Sequence, residues 1–186
     1  MTTEESIVHV FRVWEEHGQD DYIGEPVSQL EHAAQAAALA EAAGHDDEVI
    51  LAAFLHDFGH LCSPEAESMA GYGTVDHEKV GADHLRRLGF PDRLCRLIES
   101  HVAAKRYLTF KNAAYLARLS EASLATLAFQ GGPMTADEAA AFEADPLFPL
   151  YLEMRTWDER AKEEHLPVPD LDRYRTMARR VLATAA

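Results

Sequence analysis

Along most of the chain, apolar residues recur every three or four positions between charged ones, the spacing of helices that bury one face. Ile7, Val10, Phe11 and Trp14 set the first such stripe, with Thr2 or Thr3 placed to cap it. A polar segment, HGQDDYIGEP, follows. Pro26 suits the first turn of a second helix, which runs to about Ala43 and stops at Gly44. That helix carries His32 in its middle, and its apolar positions are mostly alanine, so neighbours can approach closely. Residues 49–60, VILAAFLHDFGH, read as a buried helix opened by Asp46 or Asp47 and ended or bent at Gly59. Residues 61–75, with Pro64, Gly71 and Gly73, form the longest irregular stretch, a feature that in compact chains is often functional. Asp76 is placed to cap a helix that opens with His77 and closes at Gly89, and Pro91 starts the next, RLCRLIESHVAAKRY. Further helices are expected over about 111–119, from Ser120 to Gly131-Gly132, from the capping box Thr135–Glu138, from Asp145-Pro146 through MRTWDER, and over about 170–184. No strand-like alternation, repeat or linker interrupts the series. The pattern predicts an all-α helical bundle in one domain, residues 1–186.

Charge changes the picture of partners. The 186 residues carry a formal net charge of −15, which argues against a nucleic-acid backbone or an anionic membrane but leaves room for a small anion in a locally cationic pocket. The two cysteines, Cys62 and Cys95, form no CxxC and no zinc spacing, so a reducing compartment is expected. MTTEESIVHV lacks a basic start followed by an apolar run, and the alanine-rich run 33–43 is interrupted by Gln35 and Glu41. The expectation is a cytoplasmic protein with no nucleic-acid or membrane partner; the pattern carries no signal of oligomeric state.

The candidate chemistry starts at Asp57. An unpaired carboxylate in an apolar helix costs on the order of several kcal/mol, so it needs a strong partner. A cation with histidine co-ligands is one solution, with His56 adjacent and His60 one turn on; a buried His–Asp hydrogen bond is the other, and for an isolated HD dipeptide the commoner. Of ten histidines, His9, His17, His45 and His165 lie in polar or terminal contexts and read as surface residues, and His84 fits either role. His32, His56, His77 and His101 belong to four different helices, and each alone would be an ordinary core histidine. In the order H…HD…H…H…D, ending at Asp158 in MRTWDER, they point instead to one shared site. Taken singly, Asp158 reads as a surface residue spaced to pair with Arg155. Ser123, Thr126 and Gln130 make a polar stripe that suits either solvent or a ligand. Lys105-Arg106 suits a surface pair, Tyr22 a surface position, and Glu25 a helix first turn.

These residues carry a resemblance. H…HD marks the HD-domain superfamily of metal-dependent helical proteins. The matches YIGE at 22–25, QLEH at 29–32, AAFLHDFGH at 52–60, AGYG at 70–73, HEKVGADHL at 77–85, HVAAKRYL at 101–108, QGGPM at 130–134 and RTWDE at 155–159 resemble its mixed-valent di-iron oxygenases, in particular the branch that cleaves the C–P bond of 1-hydroxyphosphonates. The resemblance implies two iron ions, Fe(II)/Fe(III). His32, His56, Asp57 and Asp158 would hold one, and Asp57 would bridge to a second held by His77 and His101 and left open for substrate. It implies a phosphonate cradle of His60, Lys105, Ser123, Thr126, Gln130 and Arg155. It also implies that Tyr22 occupies the open iron position until substrate binds, and that Glu25 then receives the substrate's amino or trimethylammonio group, with O2 as co-substrate and glycine or betaine plus phosphate as products. Tyr72, Phe129 and Trp157 are further candidates for an aromatic wall. The alternative is an HD-type phosphohydrolase using a metal-bound water; a non-catalytic binding module is the third reading.

Overall fold

The computed structural model describes residues 1–22, 24–63, 67–69 and 71–185, with the side chain of Ala185 left aside. Ile23 of YIGE, Pro64 of the long loop and Ala70 of AGYG lie outside the described residues. Among the described residues the regular elements are helices, α1 (Thr3–His17), α2 (Gln29–Ala42), α3 (Asp47–Leu55), α4 (His77–Arg87), α5 (Asp92–Lys111), α6 (Ala113–Leu116), α7 (Glu121–Phe129), α8 (Ala136–Glu143), α9 (Phe148–Arg160) and α10 (Leu171–Ala185), with a 3-10 turn at Phe58–His60. Two isolated bridges, Asp21–Ser28 and Ser68–Thr74, close loops. None of these helices is long and apolar enough to cross a membrane.

The starts of α1, α2 and α8 are capping boxes, in which Thr2, Ser28 and Thr135 each exchange hydrogen bonds with the glutamate three residues on. The box at Ser28 and Glu31 corrects the expected start of α2: Pro26 precedes the helix instead of opening it. Asp76 is a second correction. It precedes α4 with φ +52°, and its carboxylate pairs with Lys79 (3.1 Å) instead of capping the backbone. The helix expected over 111–119 is the single turn α6, which Asn112 caps through Ala114 and Tyr115.

At the centre is α3, whose residues from Val49 to Leu55 are all buried. It packs against α2, α5, α9 and α10, and α1 closes the bundle over α10. Each large apolar side chain so removed from water contributes about 2 kcal/mol. The alanines of α2 (Ala33, Ala36, Ala37, Ala40) are all at most 1% exposed, which brings its backbone, and His32 with it, close to α3.

Helix α3 stops at Leu55, so His56 is its C-cap and Asp57 lies beyond the helix rather than within it. The reason sits two residues on. A side chain at Gly59 would collide with the carbonyl of His77, and one at Gly81 would come within 2.8 Å of the Gly59 amide nitrogen. Two glycines thus let the turn after Asp57 press directly on the first turns of α4. His9 and His45 are not free surface residues. His9 meets His84, Nε2 to Nε2, at 3.0 Å, and His45 meets Glu153 at 2.8 Å.

Candidate metal centre

Five elements bring six side chains to one buried point. His32 comes from α2, His56 from the end of α3, Asp57 from the residue after it, His77 from the first turn of α4, His101 from α5 and Asp158 from α9; each is at most 5% exposed. They form two histidine pairs around one carboxylate. His32 and His56 approach at 3.0 Å between Nε2 atoms, as do His77 and His101. Asp57 divides its oxygens between them. Oδ2 lies 3.5 Å from His32 and 3.3 Å from His56, while Oδ1 lies 3.3 Å from His77 and 3.5 Å from His101. Asp158 turns Oδ1 toward the first pair, 3.6 Å from His32 and 4.0 Å from His56, and gives Oδ2 to the Arg155 guanidinium at 2.5 Å.

The tautomers follow from the outer nitrogens. His32, His56 and His101 donate Nδ1–H to the carbonyls of Ala161, Ala53 and Ile98, at 2.8, 2.8 and 2.7 Å. In the neutral rings this turns the Nε2 lone pairs inward, the orientation a metal ligand needs. Facing lone pairs at 3.0 Å repel unless a proton or a cation lies between them, and two nitrogens about 2.1 Å from one metal at a right angle are about 3.0 Å apart. His77 Nδ1 is buried without a partner, and so is Glu78 Oε2, 3.7 Å away. Coordination through His77 Nε2 would fix a proton on Nδ1, facing that carboxylate. Donor set, spacing and orphaned atoms all fit a pair of cations.

Burial and the neighbouring His56 press His32 down to about 4, and burial and the other histidines press His101 down to about 3. For His56, burial opposes protonation, but the Asp57 and Asp158 charges override it and lift the ring to about 9. Burial raises both carboxylates, yet His56 for Asp57 and Arg155 for Asp158 hold them well below the usual range.

His60 differs from the other four. Its Nδ1 accepts a hydrogen bond from the Thr74 amide at 3.0 Å, so the neutral ring carries its proton on Nε2, 3.9 Å from Asp57 Oδ1. That is a donor's tautomer. Its ring stacks on His77 at 3.9 Å, and a side chain at Gly73 (φ +94°) would come within 2.5 Å of it.

A cavity of about 230 Å³ opens on the cluster from one side. His77, His101, Asp57 and Asp158 line it, whereas His32 and His56 do not. So do Tyr22, Glu25, His60, Lys105, Ser123, Thr126, Gln130 and Arg155, the residues expected from sequence to meet substrate. Tyr22 stacks on His32 (3.9 Å, 13° between planes), and burial and then the Asp57 charge hold its phenol well above the usual range. Lys105 donates to Thr126 Oγ1 at 2.9 Å and to the Ser123 carbonyl at 3.3 Å, and burial and the nearby Arg155 charge bring it down to about 7. Neither Lys105 nor Arg155 is the surface residue its spacing alone suggests, since they are 3% and 4% exposed. Of the candidate aromatic wall, Tyr72 lines the cavity; Phe129 is half exposed and Trp157 belongs to the main core.

Sequence reasoning missed four contributors. Tyr115 and Glu159 accept from Arg155 Nε at 2.9 Å each and hold the guanidinium on Asp158. Lys162 lines the cavity and pairs with Glu25. Gln29 lines it too, with a buried amide oxygen that has no partner, as has Gln130.

Residues 29–147 match the HD-domain family. The chain is 42% identical over 177 residues to the hydroxymethylphosphonate dioxygenase of Gimesia maris, covering 94% of this chain and 87% of that one. It is 39% identical over 172 residues, 91% and 87% of the two chains, to the glycine-betaine-forming 1-hydroxy-2-(trimethylamino)ethylphosphonate dioxygenase of Leisingera caerulea. An uncharacterized protein of Acanthamoeba polyphaga mimivirus is 41% identical over 170 residues, 90% of this chain and 78% of its own.

Proposed function

Because the chain belongs to the HD-domain family, and within it to the group of the phosphonate dioxygenases, we propose that it is an O2-dependent di-iron oxygenase that cleaves the C–P bond of a 1-hydroxyphosphonate. The observation that carries the reading is Asp57 divided between two histidine pairs, only one of which faces a cation-lined cavity. His32, His56, Asp57 and Asp158 would hold the enclosed iron, and Asp57, His77 and His101 the one beside the cavity. The iron pair, mixed-valent Fe(II)/Fe(III), would anchor substrate oxygens and supply the redox chemistry with O2. The stoichiometry balances with O2 as sole oxidant: one 1-hydroxyphosphonate and one O2 give one carboxylic acid and one phosphate; the C–H and C–P bonds at C1 break, C1 and phosphorus each gain one oxygen, and the hydrogen ends on oxygen as a proton.

The chain's own residues position the substrate. Lys105 and Arg155 present cations to the phosphonate, with the Ser123 hydroxyl and the Gln130 amide beside them. Thr126, whose hydroxyl already donates to the Ala122 carbonyl at 3.0 Å, orients Lys105. His60 holds its proton on Nε2, where it can donate to a phosphonate oxygen and pass the proton to the departing phosphate. Tyr22, stacked on His32 and lining the cavity, would shield the cavity-side iron until substrate displaces its phenol, and would so restrain reaction with O2 before substrate is in place. Glu25 is the carboxylate available to an amino or trimethylammonio arm.

The test is phosphate release from hydroxymethylphosphonate and from the 2-amino and 2-trimethylammonio two-carbon 1-hydroxyphosphonates, with and without O2. Phosphate and consumed O2 in equal amounts are expected, with a half-integer spin resonance signal that changes when substrate is added. Phosphate released without O2 would reject the oxygenase in favour of a hydrolase.

A further inference from the structure

The carboxylate available to a substrate cation already holds a cation of the chain's own. Lys162, two residues past the end of α9, donates from Nζ to Glu25 Oε1, across 137 positions of sequence. The pair is no loose surface contact, with 20% and 12% of the two side chains exposed, and both residues line the cavity. The same ammonium lies 6.0 Å from the centroid of the Tyr22 ring. A carboxylate beside an aromatic face is the environment that selects an ammonium or a trimethylammonium group.

We propose that Lys162 is a specificity-determining residue: it fills, from within the chain, the cation seat at Glu25, and so favours 1-hydroxyphosphonates that have no cationic arm. The inference rests on the reaction proposed above and names the substrate class within it. Hydroxymethylphosphonate, a single carbon bearing hydroxyl and phosphonate, leaves the Glu25–Lys162 pair intact. A substrate with an ammonium at the second carbon must expel Lys162 or crowd two cations onto one carboxylate. Lys162 also adds to the attraction that Lys105 and Arg155 exert on the phosphonate, but that contribution is common to every substrate. It cancels in the ratio between two substrates, and the ratio is therefore the quantity to measure.

The experiment compares kcat/KM of the iron-loaded enzyme for hydroxymethylphosphonate and the trimethylammonio substrate in wild type, Lys162→Met and Lys162→Arg. Anaerobic titration calorimetry supplies the ratio of dissociation constants for the same pair. Wild type should favour hydroxymethylphosphonate at least tenfold. Lys162→Met, similar in volume but uncharged, should move both ratios at least tenfold toward the trimethylammonio substrate. Lys162→Arg, which keeps the charge, should hold the wild-type ratio, as a merely structural role for the side chain would not require. A wild type that prefers the cationic substrate, or a ratio unmoved in Lys162→Met, overturns the assignment while leaving the reaction standing. If no phosphonate is bound or turned over, the proposed reaction itself falls, and this inference with it.

Discussion

Replacing Lys105 by methionine should stabilise the metal-free protein at pH 6 and destabilise it at pH 10. In the fold this ammonium is 3% exposed and titrates at about 7, against 10.5 for a free lysine, first because of burial and then because of Arg155. The sign follows from which form the fold disfavours. The folded site opposes the charged amine, so the penalty is complete below the folded value, shrinks between about 7 and 10.5, where the folded amine is neutral and the unfolded one still holds its proton, and vanishes above. At about 1.4 kcal/mol per pH unit, the interval sets a ceiling of about 5 kcal/mol. Methionine preserves the volume but forfeits the bonds to Thr126 and the Ser123 carbonyl, worth about 1 kcal/mol each. The variant should therefore be up to about 3 kcal/mol more stable than wild type at pH 6 and about 1 kcal/mol less stable at pH 10, where the lost bonds outweigh the remainder of the penalty, under about 1 kcal/mol. Urea denaturation of chelator-treated protein at the two pH values measures both differences. A variant less stable than wild type at pH 6, or by the same margin at both pH values, would refute the reasoning. The charge that destabilises the empty fold is the one a phosphonate requires, so phosphonate binding near pH 8 should draw a proton from buffer in wild type and not in the variant.

Three further outcomes follow from the same geometry. Metal uptake must remove a proton from His56, which holds it up to about pH 9 in the metal-free site, so affinity for Fe(II) or Mn(II) should fall about tenfold per pH unit below 9; a flat profile between pH 6 and 8 would contradict it. Gly59→Ala forces the turn after Asp57 away from the His77 carbonyl and should cost roughly 3 kcal/mol or more together with metal binding; denaturation and metal titration that match wild type would count against the close contact. Arg155→Met leaves the second oxygen of Asp158 without its cation and should cost about 3–5 kcal/mol in the metal-free protein, while Arg155→Lys, lacking the planar fork that also reaches Tyr115 and Glu159, should recover little of it; a loss below 1 kcal/mol for the methionine variant would show that Asp158 is compensated elsewhere.

The helices were legible because their signals are local. Thr135–Glu138 is a four-residue pattern that folds as it reads, and Thr2 is one of the two threonines placed to cap the first helix. Pro26 and Asp76 misled because each resembles a helix start that a neighbour or a strained backbone overrides, Ser28 in one case and φ +52° in the other. The cluster was legible for a different reason. Singly, His32, His56, His77 and His101 read as core histidines and Asp158 as a surface residue; it is their order along the chain with Asp57, and the family resemblance that order carries, that joins them. What stayed hidden depends on chain paths between segments far apart. Lys162 meets Glu25 across 137 positions, and Tyr115 meets Arg155 across 40, with no periodicity to announce either. Nor does sequence show that His60 receives the Thr74 amide, the contact that makes it a donor and sets it apart from its four neighbours.

The meeting of Gly59 with Gly81 sets how close the turn after Asp57 stands to the first turns of α4. With nothing but peptide atoms between the turn and α4, that span is a ruler cut from main chain, which the exchange of one apolar interior residue for another neither lengthens nor shortens. Designers can recut the walls of the cavity and still find the turn after Asp57 and the helix that opens at His77 held at the same spacing.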